Sequence, residues 1–336
     1  MHSWILKRLT FPLLIIIGLL IASFLVPILY PEYDEIMDWM TDEKGKLIAA
    51  PPFSTDEMPP LGSDKLGRNF LLILLTGAKY TLMAAVVISL FRMILGFVFA
   101  LFYTFLPAFF TRTIKGFGET FQYIPLAIIV FSLLIPLDGA FQAGSLPSDR
   151  YFFIQMMGIV ALTFPSLGIY LGEEMKLYMN QEFIEASKSI GANRFQLMKK
   201  HLLPQFRRHS IVLFSEQVSQ TLSLLIQLGI LLMALGGIST VDFAFMWDPS
   251  NPASFSQTNE WAATISLNIK QAFINPILVI VPLTLFAILI LCVNSISSTL
   301  RRALIDHDYS VVKKKKKDEK KVAETTVSKE QFTFKN

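Results

Sequence analysis

One cysteine serves the whole chain of 336 residues, and that residue, Cys292, sits inside an apolar run. A disulfide scaffold and a cysteine-built zinc site are therefore excluded. Charge is scarce as well: Asp, Glu, Lys and Arg make up 17% of the residues, against 53% hydrophobic. A water-soluble chain with that balance has too little polar surface to stay dispersed, so much of this one must take the bilayer as its solvent. There is no G-x-x-x-x-G-K-[ST] phosphate loop, and so no expectation that this chain binds or hydrolyses ATP. H-E-x-x-H, Cys-x-x-Cys and G-x-S-x-G are missing too. The four histidines, His2, His201, His209 and His307, are scattered, and His201 and His209 lie among bases that disfavour a cation. With no catalytic constellation, the expectation is no enzyme activity, no metal and no cofactor in this chain. Binding, gating or passage remain.

Roughly 20 apolar residues are needed to cross about 30 Å of hydrocarbon. Six such runs are predicted, near Leu9–Leu29, Tyr80–Leu106, Phe121–Leu137, Tyr151–Leu171, Ile211–Leu235 and Pro276–Ile296. The first is too long for a signal-peptide core and no small-residue cleavage site follows it, so it is read as a retained helix. The third is short and carries Pro125 and Pro136. Assigning the N-terminus, the second and fourth loops and the tail to the cytoplasm places about 22 of the 30 Lys and Arg residues there. The predicted fold is an all-α integral membrane protein with six transmembrane helices, both termini inside. Most bases are thus explained by membrane topology, and nucleic acid is not an expected partner.

The organisation follows. Residues 1–30 form the first helix, 31–77 an acidic extracytoplasmic segment with Pro pairs at 51–52 and 59–60, and 78–306 a five-helix core. A cytoplasmic loop spans 173–210. The tail over 307–336, with Lys313–Lys317, is expected to be disordered and drawn to anionic lipid headgroups.

The most informative stretch is QEFIEASKSIGANRFQLMKKHLLP, residues 181–204. Phe183, Ala186 and Ile190 recur at helical spacing while Glu182, Glu185 and Lys188 turn elsewhere, which predicts a short amphipathic helix over Glu182–Ile190. Gly191 can end it at positive φ. Asn193 can cap a second helix carrying Phe195, Leu197, Met198 and Leu202, which Pro204 would break or bend. Such a unit can simply lie in the membrane interface. The pattern E-A-S-x-x-x-G followed by L-L-P, however, resembles the EAA loop of ATP-binding-cassette importer permeases. Glu185, Ala186 and Gly191 match the family's Glu, Ala and Gly, and Ser187 stands where a second Ala is usual. The resemblance implies the type I importer permease fold and a coupling helix that docks on a separate ATPase subunit, with Glu182, Phe183, Glu185, Ala186, Ser187, Ile190, Gly191, Ala192, Leu203 and Pro204 as its candidate residues.

Three further stretches resemble the oligopeptide/dipeptide branch of that family, in particular its C-type subunit. They are PLGSDKLGRN over residues 60–69 with TGAK over 76–79, Glu119 with Pro125, and Asn294 followed by LRRALID over 300–306, with Trp261, Pro276 and Pro282 upstream. The resemblance implies a bacterial cytoplasmic-membrane importer of oligopeptides. It also implies a homologous B-type permease, two ATPase subunits that bind the ATP, and an extracytoplasmic substrate-binding protein as partners, in a shell of membrane lipid. Nickel chelates or similar small solutes are alternative cargoes of the branch; a non-transporting scaffold or sensor with the same fold is the alternative function, and an autonomous channel a weaker one. Departures include Asn69, Lys79, Ile73, Ile169, Gly172, Ser297, Ser298 and His307, and a long loop after Gly236 holding Asp242, Trp247, Asp248, Pro249 and Pro252.

Two other features stand apart. Gly67-Arg68-Asn69-Phe70 is read as a structural clamp between an amphipathic helix and the bundle. Arg92 falls deep in the second span, where insertion costs at least about 2.5 kcal/mol, so it is expected to face the bundle or an aqueous cavity and is a candidate pathway residue; a merely paired residue, or one at the span boundary, is the alternative.

Overall fold

In the computed structural model, five helices among the described residues are long and apolar enough to cross a membrane: Arg8–Leu29, Phe70–Thr104, Ser148–Met179, His209–Ile230 and Ile277–Leu304. The structure describes residues 2–37, 39–41, 47–241 and 253–306. The expected disordered tail, its lysine run, and Asp242, Trp247, Asp248, Pro249 and Pro252 lie outside the described residues. The helices are α1 (His2–Leu29), α2 (Phe70–Thr104), α3 (Ala108–Gln122), α4 (Leu126–Gln142), α5 (Ser148–Met179), α6 (Glu182–Ser189), α7 (Arg194–Leu197), α8 (Leu203–Ile230), α9 (Trp261–Asn268) and α10 (Ile277–Arg301). Two short antiparallel hairpins depart from the all-α expectation: β1 (Met40–Thr41) with β2 (Leu47–Ala49), and β3 (Ile238–Val241) with β4 (Ala253–Ser256), registered Ile238 opposite Ser256.

Side-chain contacts fix the direction of each long helix. Ser23, near the end of α1, donates to the Thr76 carbonyl and accepts from the Lys79 N–H, so α1 and α2 are antiparallel. α5 lies so close to α2 that a Cβ at Gly168 would sit 2.5 Å from Phe99 and one at Gly172 2.4 Å from Tyr103. Both helices advance together along that seam and are parallel. Ser89 and Thr221 share a 2.9 Å hydrogen bond and Phe97 stacks on Phe206 at 3.8 Å, which sets α8 antiparallel to α2. Arg301 pairs with Glu216, bringing the end of α10 to the middle of α8.

Because α2 and α5 run the same way, the chain returns between them, through α3 and α4. α4 has 17 residues, about 25 Å of helix. It meets the start of α5 where Phe141 stacks on Tyr151 at 4.4 Å and the Tyr151 hydroxyl donates to Asp138. The third apolar run is therefore displaced from its expected 121–137. Pro125 has no N–H to give a helix and stands at the N-cap of α4, which starts one residue later. Polar α3, which no apolar run announces, occupies the residues before it. α2 also starts ten residues earlier than expected, because the Asn69 side chain accepts the Leu72 N–H and caps the helix there; residues 70–77 are therefore helix.

The core lies where α2, α8, α9 and α10 converge. Trp261 is wholly buried, its indole N–H donates to the Leu74 carbonyl at 2.7 Å, and its ring meets Phe286 edge-on. Next to it the Glu260 carboxylate is also fully buried and caps α9. Oε1 accepts from the N–H groups of Leu235 and Ala263, and Oε2 from Ala262. Burial pushes this carboxyl up from 4.5 to about 7, against the three N–H bonds that lower it. Between pH 4.5 and 7 the folded chain thus keeps a proton that the unfolded chain releases, and stability falls as pH rises through that window, by on the order of 3 kcal/mol. Glu260→Gln cannot titrate and should flatten this slope. Thermal melts of the detergent-solubilised protein at pH 5 and pH 8 check it; an unchanged pH difference in the variant would refute the assignment.

Candidate functional site

Residues 180–204 form a helix–turn–helix at the end of the bundle where α5 stops and α8 starts. α6 opens with Glu182 and Glu185 in its first turn and Lys188 in its last, the order the helix dipole favours. The Lys188 ammonium also reaches back to the Met179 carbonyl at 3.2 Å. Ile184 is the anchor: it is 0% exposed and packs with Met175, Met179, Leu197 and Leu202. The apolar face read from the spacing is a different one, and it is left free. Phe183, Ala186 and Ile190 point outward, with Ile190 89% exposed. Phe183 makes ring contacts with Tyr178 and His201 on its flank.

α6 ends at Ser189, one residue short of expectation, with Ile190 as its C-cap. Gly191 has φ +94, and its N–H and that of Ala192 satisfy the Lys188 and Ser187 carbonyls. Asn193 and Gln196 then form a reciprocal capping box that starts α7. Pro204 does not break the chain. A π turn over Met198–Leu202 widens the helix just before it, so α7 runs into α8 with Pro204 in the first turn, where no N–H is required. Leu203 and Pro204 are both exposed. Beneath the unit lies an open cavity of about 320 Å³, lined by Glu174, Tyr178, Gln181, Gln205, Phe206 and His209 among others.

The profile of the binding-protein-dependent transport system inner membrane component family matches residues 92–306. The chain belongs to this family. It is the membrane permease component of an ABC-type transporter and a multi-pass inner membrane protein, and its family in general works with ATPase and binding-protein partners. The matched stretch contains the whole helix–turn–helix unit. No curated protein matches the chain.

Other residues of the permease singled out from sequence fall elsewhere. Arg92 is 6% exposed, midway along α2, and among the described residues its guanidinium has no hydrogen bond or ion pair. Arg68 is a clamp, though not to an amphipathic helix. Its buried guanidinium donates from Nε and Nη2 to Asp64 at 2.9 and 2.7 Å, and from Nη1 to Asp34 and Asn259. It thereby ties the chain after α1 and the approach to α2 to the loop before α9. Sequence reasoning missed α3, which Lys115 holds to Glu173 of α5 at 3.3 Å. The signal was its periodic Phe110, Ile114 and Phe117 between polar neighbours, a pattern too short to register as a span.

Proposed function

We propose that this permease is the C-type subunit of a bacterial oligopeptide importer, and that residues 180–204 carry the motion of a separate ATPase into the membrane. The observation behind this reading is the two-sided α6: Ile184 fastens it to the end of α5 and to α7 and the π turn after it, while Phe183, Ala186 and Ile190 stand in the open. An apolar side chain left in water forgoes about 1.5–3 kcal/mol that burial would return, and a groove on an ATPase subunit would supply that burial. Glu185 offers the groove a carboxylate for a basic side chain. The parallel run of α2 and α5 supports six crossings, with the short α4 as the third. The excess of Lys and Arg at the end that holds the start of α1, α6 and the end of α10 supports a cytoplasmic position for that end. A homologous B-type permease completes the pathway, and ATP-driven closure of the ATPases rocks the two bundles between outward and inward access.

A pair of single cysteines in a Cys292→Ser background tests this. With an impermeant thiol reagent on intact cells, Ser54→Cys should label readily and Ser187→Cys should not, and a cross-linker at Ser187→Cys should capture an ATP-binding subunit. Equal labelling of the two would sink the orientation. An absent cross-link in an assembled transporter would sink the coupling role.

A further inference from the structure

The outward surface of the long helices is apolar along α2 and α10, where Leu90, Phe91, Ile94, Ile280 and Leu291 are exposed. α8 differs. Glu216, Gln220, Ser223 and Gln227 recur at steps of four, three and four, one stripe of an α-helix. Gln220 and Gln227 are exposed and Ser223 and Glu216 half-buried, whereas Val218, Leu222 and Leu225 on the other faces are buried. The stripe covers about 16 Å of helix, roughly the middle half of a hydrocarbon layer about 30 Å thick. Facing lipid, each glutamine amide would leave two donors and an acceptor unmet. Among the described residues the Gln220 and Gln227 amides have no hydrogen-bond partner. Neither the described residues nor lipid satisfies them.

We propose that the Gln220–Gln227 stripe lines the translocation pathway and hydrogen-bonds the backbone of an extended peptide in transit, an inference that rests on the peptide-importer reading above. The two amides stand seven residues apart, about 10.5 Å along the helix, and three residues of extended chain span about 10 Å. An amide both donates and accepts, which matches peptide N–H and C=O groups and ignores side chains. The stripe also carries no free charge at its centre. Glu216, its one acid, is paired with Arg301, so neither acidic nor basic peptides are held fast. Such a lining passes peptides of many sequences.

The test uses the assembled transporter in proteoliposomes, in the Cys292→Ser background, with a charged water-soluble thiol reagent. Gln220→Cys, Ser223→Cys and Gln227→Cys should react at least tenfold faster than Leu291→Cys on the apolar surface. Trialanine delivered with the binding protein should slow that labelling tenfold or more. Stripe cysteines as inert as Leu291→Cys would overturn the proposal. So would labelling that trialanine leaves unchanged while the Cys292→Ser parent still transports it, which leaves the peptide reading intact. Failure of the parent to transport trialanine would instead bring down the peptide reading, and the proposal with it.

Discussion

Gly191→Val should cost the permease its ATPase subunits while leaving it inserted in the membrane. A Cβ added at Gly191 meets nothing within 4 Å, so no clash disturbs the fold. The penalty is in the backbone: φ is +94, and a β-branched residue held there stores about 1–3 kcal/mol. The turn can relieve that strain only by opening, which swings α6 away from the docking geometry, and 1.4 kcal/mol is already about a tenfold loss of association. Co-purified ATPase and substrate-driven uptake should fall together by about that factor or more. Glu185→Lys should act in the same direction by reversing the charge shown to the partner. An interfacial helix with no partner predicts the reverse, since one added base strengthens attachment to anionic lipid by about 1 kcal/mol. Undiminished ATPase binding and uptake in both variants would refute the coupling role.

The same turn shows which parts of a site are legible in sequence. Gly191 and Asn193 were readable because positive φ and side-chain capping are local chemistry, complete within four residues. Ile184 was not. An eight-residue helix offers several apolar faces, and the one that is buried depends on Met175, Met179, Leu197 and Leu202 arriving from two other helices. The spacing selected Phe183, Ala186 and Ile190, and those prove to be the free face. At Pro204 the break that the rule for ideal α-helices allowed does not occur, because a π turn before it absorbs the ring and the chain stays helical. The long apolar helices were legible from composition alone. Their relative directions are those that six alternating runs imply; what no periodicity reveals is the glycine seam that packs α2 against α5.

The largest loss of stability should follow Arg68→Met, at the opposite end of the molecule. Arg68 is 4% exposed and its side chain satisfies Asp64 Oδ2 twice, with Asp64 itself nearly as buried. Removing the guanidinium leaves a buried carboxylate oxygen without its counter-charge, a change worth about 3–5 kcal/mol. The contact with Asp34 adds little, because Asp34 is half exposed and solvent screens it. Asp64 cannot simply be deleted in compensation, since its Oδ1 also accepts the N–H groups of Leu66 and Arg68 and so shapes the turn into α2. Asp64→Asn keeps that acceptor and removes the charge. Combined with Arg68→Met, it should therefore recover a good part of the lost stability. Denaturant or thermal unfolding of the three variants in detergent measures this directly. If Arg68→Met alone stayed within about 1 kcal/mol of the parent, the ordinary range for an exposed pair, the clamp would be no more than a surface contact. The approach to α2 would then have to be held by its backbone and by the Asn69 cap instead.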